Sequence, residues 1–269
     1  MKNIIYSFIL FLFALNKIGA INDTLFVYYL ENYPYSYTEK KMVKGLEIEI
    51  INEYINWVKN DGVNLIPIYK SFDEFDKLYE AVKKGKSNVI GLGSVTINTE
   101  RIKDISFSPP YLKNVSILIS DGRIPTMKSK SEVSTAFTNP CAITLKNSTY
   151  EKYLLDIKKH FISQLNITYT NSEFNIIDSV ANNKNVFGYC DILSYWTYTK
   201  THKDKFIKIQ KIFTFDHDNL GFIVPKISTH EQELSEFFES GFGFIATKKY
   251  HQILEEYLSY EVLESVKVD

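Results

Sequence analysis

From Leu25 onward the apolar positions fall into short blocks whose period alternates between that of a strand and that of a helix. Residues 25–30 read as a strand, and 32–44 as a loop bearing Tyr33, Pro34 and lysines. After Gly45, the positions Ile50, Ile51, Tyr54, Ile55 and Val58 recur at helical spacing. Residues 63–69 form the next strand. Phe72, Phe75, Leu78, Tyr79 and Val82 mark a second helix, stopped by Lys83-Lys84-Gly85, and 88–92 is a buried strand. Such a βαβαβ unit predicts a mostly parallel sheet with helices on its faces.

The pattern then recurs. Residues 141–145 are a strand, and Ser148-Thr149-Tyr150-Glu151 is a capping box opening a helix with Tyr150, Tyr153, Leu154, Ile157 and Phe161. A strand at 167–170, a helix at 173–181, a strand at 186–190 and a helix at 192–199 follow, and the chain is helical from Thr229. Two apolar stretches, 115–119 and 220–224, read as strands that cross between the units. The expected fold is α/β with two lobes: lobe 1 at 21–114, lobe 2 at 115–219, and a return to lobe 1 with C-terminal helices at 220–269. Ligands of such folds sit at the carboxyl ends of the strands, here the cleft between the lobes.

At the N-terminus, Lys2, the apolar run 4–15 and the small residues Gly19-Ala20 have the form of a cleaved signal peptide spanning 1–20. The run is too short to span a membrane. Lysine and arginine total 31 against 32 acids, so no basic surplus suggests nucleic acid. With 45% hydrophobic and 15% aromatic residues the chain can build a core. Cys141 begins one strand and Cys190 ends another, so parallel neighbours would hold them apart as free thiols. No histidine pair has ligand spacing, and no metal or cofactor is expected. The five histidines are scattered, and Trp57 and Trp196 sit on amphipathic helices as packing residues. No phosphate-loop motif occurs, so the chain is not itself an ATPase.

Only two of the basic residues are arginines, Arg101 and Arg123. A guanidinium is kept where its planar fork must pair a carboxylate. Arg101 follows a turn, Gly93-Ser94-Val95-Thr96, at the carboxyl end of the 88–92 strand, which suits an anion cradle; the alternative is a surface ion pair with Glu100 or Asp104. Ser148 and Thr149 open a helix, whose free N–H groups also favour an anion, unless they are an ordinary cap. Asp191 ends an apolar strand at the cleft edge, where it can hold an ammonium or cap the next helix. Together these form a receptor for a zwitterion: Arg101, Thr96, Ser148 and Thr149 for its carboxylate, Asp191 for its amine.

The run from Asn88 to Arg101, continuing Ile105-Ser106-Phe107-Ser108-Pro109-Pro110-Tyr111, resembles the strand, the T-x-x-x-x-R turn and the F-S-x-P-Y segment of the family 3 extracellular solute-binding proteins. Tyr33-Pro34-Tyr35-Ser36-Tyr37 with Gly45-Leu46-Glu47-Ile48-Glu49 is similar to that family's N-terminal signature. The resemblance implies the two-lobed type II periplasmic-binding-protein fold and an amino-acid ligand. It further implies a periplasmic location, a monomer, and delivery to an inner-membrane ABC permease by hinge closure. It places Arg101 and Thr96, with backbone at Ser94, on the ligand carboxylate, Ser148 and Thr149 on the same group from lobe 2, Asp191 on the amine, and Tyr33 beside the ligand side chain. Asn147 stands where the family often has glycine, a position asparagine tolerates. The same resemblance admits two alternatives. One is a sensory receptor, and the other a cyclohexadienyl dehydratase, which needs a general acid that these motifs do not supply.

Overall fold

The structure, a computed structural model, describes residues 21–239, 243–266 and 268; the expected signal peptide at 1–20 lies outside the described residues. In chain order the first unit runs β1 (Ile21–Leu30), β2 (Tyr37–Glu39), β3 (Met42–Lys44), α1 (Leu46–Asn60), β4 (Val63–Phe72), α2 (Phe75–Lys83), β5 (Val89–Leu92), α3 (Arg101–Asp104) and β6 (Ser106–Phe107). The long strand β7 (Leu112–Asp121) leads to the second unit. That unit comprises β8 (Cys141–Leu145), α4 (Thr149–His160), β9 (Asn166–Thr170), α5 (Glu173–Asn182), β10 (Val186–Asp191), α6 (Ile192–Thr201) and β11 (Ile207–Ile209). Then β12 (Phe215–Leu220) returns along β7, and β13 (Ile223–Val224), α7 (His230–Glu239), α8 (Lys248–Tyr257) and α9 (Tyr260–Val266) follow.

The first sheet has the order β4-β1-β5-β13-β6, with β1 parallel to β4 and β5 and with β13 antiparallel to its neighbours. The second has the order β11-β7-β10-β8-β9, with β12 also on β7. Its β8, β9 and β10 are parallel, while β7 runs against β10, β11 and β12. This is the α/β architecture of two sheets flanked by helices that the alternating periods predict. The helical stripe Ile50, Ile51, Tyr54 and Val58 is buried on the first sheet. A second core gathers Leu154, Ile157, Phe187 and Tyr189 between α4 and the second sheet. Val186 lies opposite Cys141 in the parallel pair, so Cys190 stands at the far end, and both thiols are free. No described helix is long and apolar enough to cross a membrane.

Three features differ from the sequence expectation. The loop 32–44 contains a hairpin, with Tyr37 opposite Lys44 and Glu39 opposite Met42. Its two-residue turn is Lys40-Lys41, both at positive φ (50° and 68°). Such turns favour Asn and Gly, so lysine gives no turn signal. The stretch 220–224 is not one strand, because Gly221 N–H donates to Val95 O (3.1 Å) and Phe222 N–H to Ser108 Oγ (2.9 Å). These bonds turn the chain out of β12 and into β13. Finally, α9 packs on β7 and α6 as well as on α8, so the last helix reaches the second unit.

Gly45 caps α1 at φ 124°, and an added Cβ would stand 2.3 Å from the carbonyl oxygen of Tyr35. Gly45→Ala is therefore expected to cost at least about 1–3 kcal/mol in backbone strain alone. A urea midpoint equal to that of the unaltered chain would exclude this constraint.

Candidate functional site

The first wall of the cleft is built from the turn after β5. The carboxylate of Glu47, fully buried at the start of α1, accepts the N–H groups of Ser94 (2.9 Å) and Gly93 (3.2 Å) and the hydroxyls of Tyr111 (2.5 Å) and Ser36 (3.3 Å). This fourfold grip holds Ser94 in the left-handed region at φ 47°. The Ser94 N–H is thereby spent, and what Ser94 offers is its hydroxyl, which accepts from Asn32 Nδ2 (3.1 Å) and keeps its own proton to donate. Thr96 Oγ1 likewise accepts from Asn114 Nδ2 (3.2 Å), leaving its proton for another acceptor. Asn98 Oδ1 receives the N–H of Arg101 (2.9 Å) and so sets the start of α3.

Arg101 pairs with no carboxylate among the described residues. Its Nη1 donates to Thr96 O (3.0 Å) and its Nη2 to Asn147 O (3.4 Å), and the guanidinium lies 4.7 Å from the Phe75 ring centre. The surface ion pair that spacing allowed does not form: Asp104 pairs with Lys83 (2.7 Å) and Glu100 with Lys152. The other arginine shows the contrast, since Arg123 grips Asp121 through Nε (2.7 Å) and Nη2 (2.8 Å).

The opposing wall is the N-terminus of α4. Ser148 caps it: its hydroxyl accepts Glu151 N–H (3.2 Å) and donates to Leu145 O (2.7 Å), so that side chain is fully used. Glu151 reaches back to the N–H of Asn147 (2.6 Å), not of Ser148 as a strict capping box requires, and Asn147 adopts the left-handed φ of 56°. Thr149 differs, because its buried hydroxyl has no partner and its N–H belongs to the first turn, where a helix supplies no acceptor.

Asp191 is buried (3% exposed) and caps α6. Its carboxylate accepts Ser194 N–H (2.8 Å), Ser194 Oγ (2.7 Å) and the Tyr35 hydroxyl (2.9 Å). Glu173, the first residue of α5, is equally buried and, unlike Asp191, is in the lining of the cavity between the walls. It accepts Asp191 N–H (2.9 Å) and the Tyr150 hydroxyl (3.3 Å). Burial, and then the neighbouring Asp191 charge, hold its carboxyl well above the ordinary range.

Ser94, Thr96, Arg101, Ser148, Thr149 and Glu173 line one cavity of about 30 Å³. That is the room of roughly one water molecule. Asp191 and Tyr33 are not in its lining. Tyr33 is 42% exposed and packs edge-on against Tyr37 (4.7 Å) and Phe174 (5.5 Å). Arg101 and Ser148 also face a wider opening of about 610 Å³. The walls are held together by Tyr35–Asp191, by Asn147 Nδ2 to Asp76 Oδ2 (2.7 Å) and by Lys152–Glu100. The sequence reading missed Glu173, which looked like a first-turn helix acid, and Glu47, which was visible only as part of a motif. No cluster of His, Cys, Asp or Glu among the described residues could hold a metal.

Residues 26–260 match the bacterial extracellular solute-binding proteins, family 3, and the chain belongs to that family. Solved structures show the same two-lobed type II periplasmic-binding-protein fold. An ancestral arginine-binding protein bound to arginine is 19% identical with a TM-score of 0.68, covering 88% of this chain and 98% of its own. ArtJ, the arginine-, lysine-, histidine-binding protein of Geobacillus stearothermophilus, is 17% identical with a TM-score of 0.67, covering 88% and 95%. The ancestral amino acid-binding protein AncCDT-1, a precursor of cyclohexadienyl dehydratase, is 20% identical with a TM-score of 0.64, covering 88% and 96%. No curated protein matches the chain.

The Glu173 carboxyl gives the fold a defined pH dependence. Below about pH 4.5, the ordinary value, it is protonated both folded and unfolded and costs nothing. As the pH rises past that value the unfolded chain ionises first, so native stability falls until the folded carboxyl titrates too. Glu173→Gln cannot ionise. Its melting temperature should therefore match the parent in acid and exceed it increasingly toward pH 8, by roughly 2–4 °C for each kcal/mol of relieved penalty. Parallel melting curves across the pH range would show that Glu173 carries no such penalty.

Proposed function

We propose that the chain is a periplasmic receptor that binds a small amino acid between its lobes and presents the closed form to an inner-membrane ABC permease. The observation that carries this reading is Arg101: a half-buried guanidinium with no acid of its own among the described residues, lining one cavity with a Thr149 hydroxyl that has no partner among them, at a helix N-terminus. A ligand carboxylate placed there would meet the guanidinium, the hydroxyls of Ser94, Thr96 and Thr149, and the α4 dipole. The similar arginine- and lysine-binding proteins support an amino acid as the solute. The present cavity is far smaller than the roughly 300 Å³ and more of ligand pockets, so the lobes part to admit the ligand and close on it. The paired strands β7 and β12 join the two sheets and form the hinge about which they turn.

Glu173 favours one second reading, a dehydratase of the cyclohexadienyl type. A buried carboxyl that holds its proton is what a departing hydroxyl needs as general acid. A protein of the same fold, the amino acid-binding protein AncCDT-1, is a precursor of such an enzyme. Release of aromatic product from a cyclohexadienyl dicarboxylate, followed by absorbance, would favour it over the receptor.

Two outcomes test the receptor. In a thermal-shift screen of the standard L-amino acids, at least one should raise the melting temperature in a concentration-dependent way. If none does, the amino-acid reading fails. For the amino acid that binds best, Arg101→Ala should lose about 2–5 kcal/mol, roughly 30-fold or more in affinity. Unchanged affinity by calorimetry would remove Arg101 from the carboxylate site.

A further inference from the structure

The cavity has one cationic wall and one acidic wall, and the acidic wall is Glu173. Asp191, which the sequence pattern favours for the amine, already accepts three hydrogen bonds, from the Ser194 N–H and hydroxyl and the Tyr35 hydroxyl, and is not in the cavity's lining. Glu173 is the acid that lines the cavity, and it takes part in no ion pair among the described residues.

We propose that Glu173 receives the ammonium group of the ligand and releases its proton as that group arrives, with Asp191 acting as the positioning residue behind it. This rests on reading the cleft as an amino-acid site. The groups around Glu173 leave it no other counter-charge. From α4 comes the Tyr150 hydroxyl, from the end of β10 the Asp191 carboxylate and Cys190 thiol, and from the segment before β2 the Tyr35 hydroxyl. Arg101 stands in the same cavity, held by Thr96 O and Asn147 O and stacked on Phe75. Two unpaired carboxylates cannot stand side by side in this buried setting, so the unliganded site keeps a proton on Glu173. An ammonium donating to the Glu173 carboxylate supplies the missing positive charge. The Glu173 O–H bond breaks and the proton passes to buffer, so a zwitterion of no net charge enters as one positive charge leaves, and each charge of the ligand then faces an opposite charge in the cavity. Asp191 N–H keeps Glu173 aimed at the cavity throughout.

The test is calorimetry with L-arginine, or with the best-stabilising amino acid of the screen where arginine gives no heat, in phosphate and in Tris at one neutral pH. The difference in heat counts protons. Wild type should release close to one proton per ligand, with affinity rising as pH rises. Glu173→Gln should release none, bind at least about tenfold more weakly, and lose the pH dependence. Glu173→Asp, which keeps a carboxyl, should retain the release even if Gln impairs folding. Binding by wild type without proton release, or equal affinity in Glu173→Gln, would overturn the assignment while leaving the receptor reading intact. A wild-type chain that binds no amino acid would overturn that reading, and this inference with it.

Discussion

Among the described residues, a guanidinium without an acid and a carboxyl without a cation line one small cavity, each held on its own wall. Arg101 and an ionised Glu173 would attract each other strongly at short range in so dry a setting. The fold withholds that pairing. Two carbonyl oxygens and the Phe75 ring hold Arg101 on its own wall, and Tyr150 and the Asp191 backbone hold Glu173 on the other. A molecule carrying both charges can pair its carboxylate with Arg101 and its ammonium with Glu173 once Glu173 gives up its proton, whereas one with a single charge leaves the other wall unmatched. Discrimination of this kind follows from unpaired buried groups more than from attractive contacts.

The turn that carries the Arg101 wall is held by a third ionisable group, the buried Glu47. Glu47 fixes the left-handed Ser94, and through that turn it sets the direction from which Thr96 and Arg101 approach. Its burial pushes its carboxyl up, against the opposing effect of the hydrogen bonds it accepts. Glu47 is thus placed by the same event that places α1, whose first turn it occupies. The core and the site are one construction at this point, since the helix that buries Ile50, Ile51 and Tyr54 also delivers the acid that shapes the turn.

Much of this was legible in the residues. The alternation of periods located both βαβ units because their apolar stripes are long and their sheets are buried. Arg101 was legible by rarity in a lysine-rich chain, and Thr96, Ser148 and Thr149 by their place at a strand end and a helix start. The assignment of roles within the walls was less accessible. Nothing in the spacing of Ser148 and Thr149 tells which hydroxyl is consumed by the cap and which is left over; that depends on the Leu145 carbonyl. Asp191 and Glu173 are eighteen residues apart and each begins a helix, so both look like caps or first-turn acids. Only the packing of α5 against the end of β10 shows which one faces the cavity. The Lys40-Lys41 turn was hidden for a different reason, because left-handed lysines carry no chemical mark of the conformation the hairpin imposes.

The closed arrangement adds a final constraint on how such a site can work. The lobes already touch through Tyr35–Asp191, Asn147–Asp76 and Lys152–Glu100, with space for about one water between the walls. A ligand therefore does not create closure from nothing; it competes with contacts the lobes make alone, and it shifts the equilibrium only by its differential affinity for the closed form. Two of those contacts, Asn147–Asp76 and Lys152–Glu100, lie on the exposed rim, where hydrogen bonds and ion pairs are worth little. The third, from the Tyr35 hydroxyl to Asp191, is buried. Glu173 stands at the acidic wall, desolvated beside Asp191. An ammonium placed there would meet a buried carboxyl that the contacts on the rim do not reach, so binding at that wall adds to the closed state what the rim contacts do not.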